Sequence, residues 1–377
     1  MPQRWNLRSG CNLEERWSMR APGNKLLVAF LGLSVIFFAV AMFVAEDAPD
    51  EPGVGASIDP DMEARRDGAR GVIPEMQVDG APAMQRAAMD SAVNAMAAAT
   101  VNQTSIADST TAASGYPPLL GRYDLEKPDR QFRLPRRLRE ISGLAMLAGN
   151  RLLAHDDERG TVVEIDFHDG SIVKDFELGG PRGRVADDFE GIAAAEGRLY
   201  LVTSTGRLYE FGEGDDGAAV PYNRYETGVG RIHEIEGLAY YPDRRALLLV
   251  SKNPRNPRQG DHVAIYYWSL DTRRLVEGGP ILIEAAAFAR PIDRDTFQPS
   301  GIERHPVSGN LFIVAARQRA VAEITPGGTV LAVRRLTAGL HRQAEGITFA
   351  ADNTLVIADE GAGKRATLSF YPVAKDR

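Results

Sequence analysis

From residue 118 to residue 377 the chain is a series of short apolar runs separated by turn residues, and no stretch of comparable length has helical periodicity. The turn Ala148-Gly149-Asn150 leads into an apolar run at 151–154, a polar loop at 155–160 and an alternating run at 161–166. The order returns as 246–250 with 263–270, as 311–315 with 321–325, and as 354–358 with 367–373. Such runs between Gly, Asn, Asp and Pro clusters are hairpin signals. Each unit opens on a related phrase: Ser142-Gly143-Leu144-Ala145, Glu190-Gly191-Ile192-Ala193, Glu236-Gly237-Leu238-Ala239, Ser300-Gly301-Ile302-Glu303 and Glu345-Gly346-Ile347-Thr348. The glycines stand 48, 46, 64 and 45 residues apart, the period of a four-stranded propeller blade. Five phrases predict an all-β, five-bladed β-propeller over 118–377. Outer, fourth strands are expected at 171–178, 281–284 and 330–336. The last unit ends before its own fourth strand, and 121–126 (GRYDLE) has the character to supply it. The ring is therefore expected to close through an N-terminal strand that completes the last blade and removes free sheet edges.

Ahead of this domain the pattern changes. Residues 26–45 carry no charge, and 20 residues at about 1.5 Å each span roughly 30 Å of hydrocarbon. They predict one transmembrane signal-anchor helix. Residues 1–25 hold five basic and two acidic side chains, whereas Glu46, Asp47, Asp50 and Glu51 follow the apolar run. The positive-inside rule makes 1–25 a cytoplasmic basic tail and puts the propeller in the periplasm, on a single-pass anchor in the inner membrane. A cleaved signal peptide is the alternative, because Ala39-Val40-Ala41 has a small-x-small form; the length of the basic region and of the apolar run favours the anchor. Residues 46–117 are rich in Ala, Asp, Pro, Ser and Thr and read as an acidic, flexible stalk.

Charge narrows the partners. The whole chain has 51 acidic and 44 basic residues, net −7. The tail contributes +3 and the stalk, with twelve acidic and four basic residues, −8. Residues 118–377 are left at −2, without the basic excess of a nucleic-acid-binding domain. The one cysteine, Cys11, excludes an internal disulfide and every multi-cysteine metal site.

The innermost strand of each blade lines the central channel, so the repeated phrase sets Ser142, Glu190, Glu236, Ser300 and Glu345 on one ring. Three converging carboxylates repel, and either their pKa values rise or a cation neutralises them. Oxygen donors without cysteine suit a hard cation, Ca²⁺ above all. The candidate metal ligands are Glu190, Glu236, Glu345, Glu303 and Asp188, where Glu303 replaces the carboxylate missing at Ser300. The alternative is that each glutamate caps loop amides of the next blade. The loop after each second strand returns to the same face, which adds Asp156, Glu158, Lys252, Arg317 and Asp359 to Ser142 and Ser300 as channel-mouth binding candidates. Asp157 lies on the first of these loops, Asp188 and Glu234 each stand two residues before a ring glutamate, and His155 and His233 are the histidines nearest that face. Neither a G-x-S-x-G elbow nor a Walker-type loop is present. Insertions at 253–261 and 285–297 account for the 64-residue interval and offer loops for binding contacts.

Glu140-Ile141-Ser142-Gly143-Leu144, Asp156-Asp157-Glu158 and Asp188-Phe189-Glu190-Gly191-Ile192, behind an N-terminal membrane segment, resemble the SdiA-regulated (YjiK-like) family of bacterial proteins. The likeness covers about residues 120–377. It implies a five-bladed propeller with a bound calcium ion, distantly similar to NHL-repeat proteins, and no firmly established activity. Ser300 departs from the family pattern. Three functions fit: a membrane-tethered calcium-binding module for a protein or polysaccharide partner; a calcium-dependent hydrolase of lactonase or phosphoesterase type with its site at the channel mouth; and a structural spacer.

Overall fold

The computed structural model describes residues 118–374 apart from 181–182 and 257–259. The tail 1–25 with Cys11, the apolar segment 26–45 and the stalk 46–117 lie outside the described residues. Among those described, no helix is long and apolar enough to cross a membrane.

Five sheets follow one another along the chain, antiparallel except where Ala219–Val220 adds in parallel to the outer strand of blade 1. Their innermost strands are Ile141–Leu147, Phe189–Ala195, His233–Tyr241, Gly301–Arg304 and Ala344–Phe349. Each of these packs against the innermost strand of the next sheet, and the fifth packs against the first, so the sheets form a closed five-bladed ring. The second and third strands are the hairpins expected from the turn pattern, for example Leu311–Ala315 with Ala320–Ile324 in blade 4. In blade 3 the third strand, His262–Ser269, pairs with both Arg274–Leu275 and Ile281–Glu284.

Five buried clusters fill the five gaps between blades. Leu153 and Phe176 of blade 1 meet Leu201 and Phe211 of blade 2; Val356 and Phe370 of blade 5 meet Leu152 and Val163 of blade 1. This explains why the strands read as continuous apolar runs. Side chains alternate across a strand, and in the segment 246–250 Leu247 and Leu249 face blade 2 while Ala246, Leu248 and Val250 face blade 4. Both faces are buried, and each buried large aliphatic or aromatic side chain contributes about 1.5–3 kcal/mol.

The strand that completes blade 5 is Arg130–Arg133, antiparallel to Thr367–Tyr371 with Phe132 opposite Leu368. The segment 121–126, expected in that role, is not a strand. Leu120–Arg122 form a 3-10 turn, and Leu119, Leu120, Tyr123 and Leu125 are all buried between blades 4 and 5. Four apolar residues at this spacing cannot share one face of a strand, whose period is two. The turn is held by the backbone N–H groups of Leu119 and Leu120, each donating to the buried Glu323 carboxylate at 2.7 Å. Arg130–Arg133, in contrast, alternates half-buried and exposed residues as an edge strand does.

The insertion at 285–297 is not an open binding loop. It forms the short helix Ala285–Ala289 and the turn Arg290–Ile292, and Phe288 stacks on Phe297 at 4.7 Å inside the gap between blades 3 and 4. Of the other insertion, residues up to Pro254 extend the second strand of blade 3.

Candidate functional site

The repeated phrase builds the channel mouth through two devices. The first is a β-bulge. In blades 1, 2, 3 and 5 the pairing of the innermost strand slips at the ring residue, between Ile141 and Gly143, Phe189 and Gly191, Ile235 and Gly237, and Ala344 and Gly346. A bulged residue has no partner opposite it and its side chain is re-aimed. The second is the glycine that follows. A Cβ on Gly191 would stand 2.6 Å from the Leu238 backbone nitrogen, and one on Gly301 would stand 2.2 Å from the Glu345 carbonyl oxygen. Glycine is required because neighbouring backbones meet there.

Glu190, Glu236 and Glu345 are brought close enough to act on one another. Burial, then the Glu236 and Asp188 charges, push the Glu190 carboxyl well above its usual range. Glu345 is pushed up to about 7 by burial, with Glu360 and Asp157 adding to it. Glu236, buried, is raised to about 8 by burial although Lys252 opposes the shift. The Lys252 ammonium lies 2.6 Å from Glu236 Oε1 and 4.0 Å from Glu234. That contact is an ion pair off the line of a hydrogen bond, and Glu236 Oε1 accepts none. Lys252 itself is burdened by burial, yet Glu236, Glu234 and Glu190 hold its pKa above the usual value. A resident cation thus meets part of the ring's negative charge.

Blade 5 adds a relay of positioning contacts. Gln343 Nε2 donates to Glu345 Oε1 at 2.9 Å and also contacts Glu360, and the Gln343 N–H donates to Asp359 Oδ1 at 3.2 Å. Buried His341 donates from Nδ1 to Asp359 Oδ2 at 2.8 Å, and the Tyr371 hydroxyl lies 2.5 Å from its Nε2. Asp359 therefore orients the loop rather than meeting a ligand. Nothing in the sequence singled out His341, because its two partners, Asp359 and Tyr371, come from two strands of the blade.

Among the described residues, Glu140, Asp156 and Asp157 form a group of carboxylates, each with an oxygen within 4.8 Å of the other two. Asp156 Oδ1 accepts the N–H groups of Glu158 and Arg159, both at 3.1 Å, which folds the loop back on itself. Asp157 Oδ1 is buried and accepts no hydrogen bond. Burial, then Asp156 and Glu140, push Asp157 up to about 7. Glu140 is contacted by Arg139 at 3.0 Å. Glu140, Asp156 and Asp157 were visible in the sequence within the motifs that carry the family resemblance, but it is the pairing of Ile141 with Asp156 that brings Glu140 beside the other two.

Other candidates sit apart. Glu303 lies three residues beyond Ser300, at the position alanine occupies in blades 1 to 3, where it accepts from Thr348 Oγ1 at 3.2 Å; burial raises it to about 7. Ser300 Oγ donates to the Ala344 carbonyl at 2.7 Å and accepts the Ala316 N–H at 2.9 Å, so in blade 4 the ring residue serves as an inter-blade cap. Ser142 is buried. Asp188 is exposed and accepts from Ser204, Glu158 is exposed, and Arg317 donates to Gln298 at 3.1 Å. His155 and His233, expected near the face, are fully buried, and burial lowers both to about 4. His233 is engaged by Tyr266 and His262.

The family model described as SdiA-regulated matches residues 139–363. No curated protein matches the chain. Similar solved structures include the glutaminyl cyclase of Myxococcus xanthus, 16% identical with a TM-score of 0.45 over 66% of this chain and 97% of that one. The PQQ-bound aldose sugar dehydrogenase of Streptomyces coelicolor is 16% identical with a TM-score of 0.44 over 66% and 97%. A gluconolactonase of Xanthomonas campestris is 15% identical with a TM-score of 0.40 over 62% and 72%. At these identities and scores the likenesses carry nothing about chemistry.

Proposed function

Because the chain belongs to the SdiA-regulated family, we propose that it is a membrane-tethered, calcium-binding propeller whose channel mouth is a binding module. The observation that carries this reading is the meeting of Glu140, Asp156 and Asp157 with a buried, unpartnered Asp157 oxygen. Three oxygen donors of this kind fit a hard dication, which takes six to eight oxygens in flexible geometry. Residues 26–45 anchor the chain in the inner membrane and hold the propeller in the periplasm, where a protein or polysaccharide partner meets it. The ion supplies a positive pole at the mouth when bound. Lys252 supplies a second pole from the opposite side of the ring.

The family resemblance motivates calcium, and the acidic loops support it; the ring glutamates Glu190, Glu236 and Glu345 line the approach. A second reading, a calcium-dependent hydrolase of lactonase or phosphoesterase type, is favoured by the Lys252–Glu236 contact, an acid–base pair buried beside the same mouth. Hydrolysis of a lactone or phosphoester panel that is lost in Glu236→Gln, with the fold intact, would support it.

The test is elemental analysis and thermal melting of the full chain in detergent. One calcium per chain is expected, and ion at 100 times its Kd stabilises by about 2.7 kcal/mol. For a domain of this size that raises Tm by about 5–10 °C. No bound metal, with a Tm indifferent to calcium and to chelator, would sink the reading.

A further inference from the structure

A cleft of about 970 Å³ runs across the mouth face of blades 5 and 1, from the closing strand Arg130–Arg133 to the loops that carry Asp156 and Glu360. Its lining holds eight basic and five acidic side chains, although residues 118–377 as a whole are net negative. The lining is thus net +3, and three of its eight basic groups are engaged by the protein itself. Arg137 pairs with Asp175, Arg139 with Glu140, and Arg365 donates to the carbonyls of Leu134 and Arg133. The remaining five, Arg133, Arg136, Arg159, Arg342 and Lys364, are exposed. Among the described residues none of these five has a carboxylate within ion-pair distance, and only Arg159 is close enough to Asp156 to lower its pKa electrostatically.

The cleft is also preformed. Four backbone segments meet there, and their crossings are fixed by hydrogen bonds from Leu134 N to Ala366 O at 2.9 Å and from Gly361 N to Arg139 O at 2.7 Å. A Cβ at Gly361 would stand 2.4 Å from the Lys364 carbonyl and 3.1 Å from that of Arg139, so the loop closes only with glycine. Rigid placement spares a ligand the ordering cost of the loops.

We propose that this cleft binds a small ligand bearing two or more phosphate groups. Like charges held together on a concave wall repel unless an anion neutralises them, and a cleft focuses their field. Guanidinium groups match phosphate oxygens two at a time, and a lining of net +3, eight basic against five acidic side chains, exceeds the charge of one phosphate. The volume is that of a small-molecule site, and its concavity keeps a flat bilayer away. The inference rests on the reading of the mouth as a binding face; Glu140 and Asp156, two of the ion ligands proposed above, line the same cleft, so the cleft is tested without metal.

The experiment titrates the full chain in detergent, stripped of metal on a chelating resin, with inorganic pyrophosphate at low salt by calorimetry. Pyrophosphate is expected to bind more tightly than inorganic phosphate and to weaken as salt rises. Arg136→Gln with Arg342→Gln should weaken it by about tenfold or more, while Arg224→Gln with Arg274→Gln, the same loss of charge on outer strands of other blades, should change it by less than about twofold. Absence of pyrophosphate binding would overturn the proposal. So would equal weakening by both pairs, equal affinity for phosphate, or capture only by phosphatidylglycerol vesicles. Since no metal is present, failure of the calcium reading leaves this result standing, and the reverse also holds.

Discussion

An ammonium 2.6 Å from a buried carboxylate oxygen changes what three converging glutamates require of their surroundings. Removing it leaves Glu236 without a countercharge, and Lys252→Met should destabilise the fold by about 1–3 kcal/mol. Its loss removes an influence that lowers the Glu236 pKa, already raised to about 8. The deficit should therefore be larger at pH 8, where the carboxyl must ionise, than at pH 5, where the neutral acid survives; melting curves at the two pH values read it directly. Asp157 obeys the same sign. Its folded pKa of about 7 exceeds the ordinary 3.8, so the stability it contributes is complete below about pH 4 and is lost as pH rises through 7. In metal-free protein the Tm of wild type should fall relative to Asp157→Asn between pH 4 and pH 8. Calcium should reverse that fall in the wild type alone, because ligands bind metal deprotonated. A difference that stays flat with pH would mean Asp157 is paired in solution. At this scale the glutamates of the ring were legible in the repeat, but their relations were not. Lys252 reaches Glu236 from the neighbouring strand and Gln343 reaches Glu345 from the loop before it, and a charge in a loop has no mark that distinguishes a buried partner from a solvated one.

The innermost strand is the element on which the ring depends. Its recurring Glu-Gly or Ser-Gly step is, in blades 1, 2, 3 and 5, a bulge followed by a close backbone approach, and in blade 4 the close approach alone: the bulge turns one side chain to the mouth, and the glycine lets the next blade come within contact. Gly301→Ala brings a Cβ to 2.2 Å from a carbonyl oxygen that has no flexible end to move. It should cost about 2–3 kcal/mol or more and lower Tm by several degrees. Gly149→Ala, at a turn with no atom near its Cβ, is strained instead by its φ of +78° and should cost only about 1 kcal/mol. A comparable loss at both sites, measured by denaturant midpoint, would show that backbone conformation rather than blade contact decides. The glycine spacing and the hairpins of blades 1, 3, 4 and 5 were readable from turn residues and alternation. The closing strand was misplaced, since 121–126 and 130–133 both have mixed polarity, and the choice was made by Glu323, nearly 200 residues away, which holds the first segment in a turn.

For the whole molecule, the expected arrangement is a cytoplasmic tail, an anchor at 26–45 and a periplasmic propeller. Protease added to spheroplasts should digest or release the propeller while a tag at the N-terminus stays protected; protection of both would refute that topology. Five similar phrases, spaced 45 to 64 residues apart, made the blade count and the all-β class evident from sequence alone, because strands of a sheet buried on both faces read as continuous apolar runs. The uncharged run at 26–45 and the charge partition are equally local properties, carried by consecutive residues and needing no fold to be read. What only the tertiary structure decided is which charges meet. Glu140, Asp156 and Asp157 gather across a strand pair, Lys252 enters the ring from blade 3, and eight basic side chains from four segments share one cleft. Repetition specifies a scaffold because every unit repeats the same burial requirement. A site is built from the places where the units differ, and those differences acquire a chemistry only when ring closure brings distant loops to the same mouth.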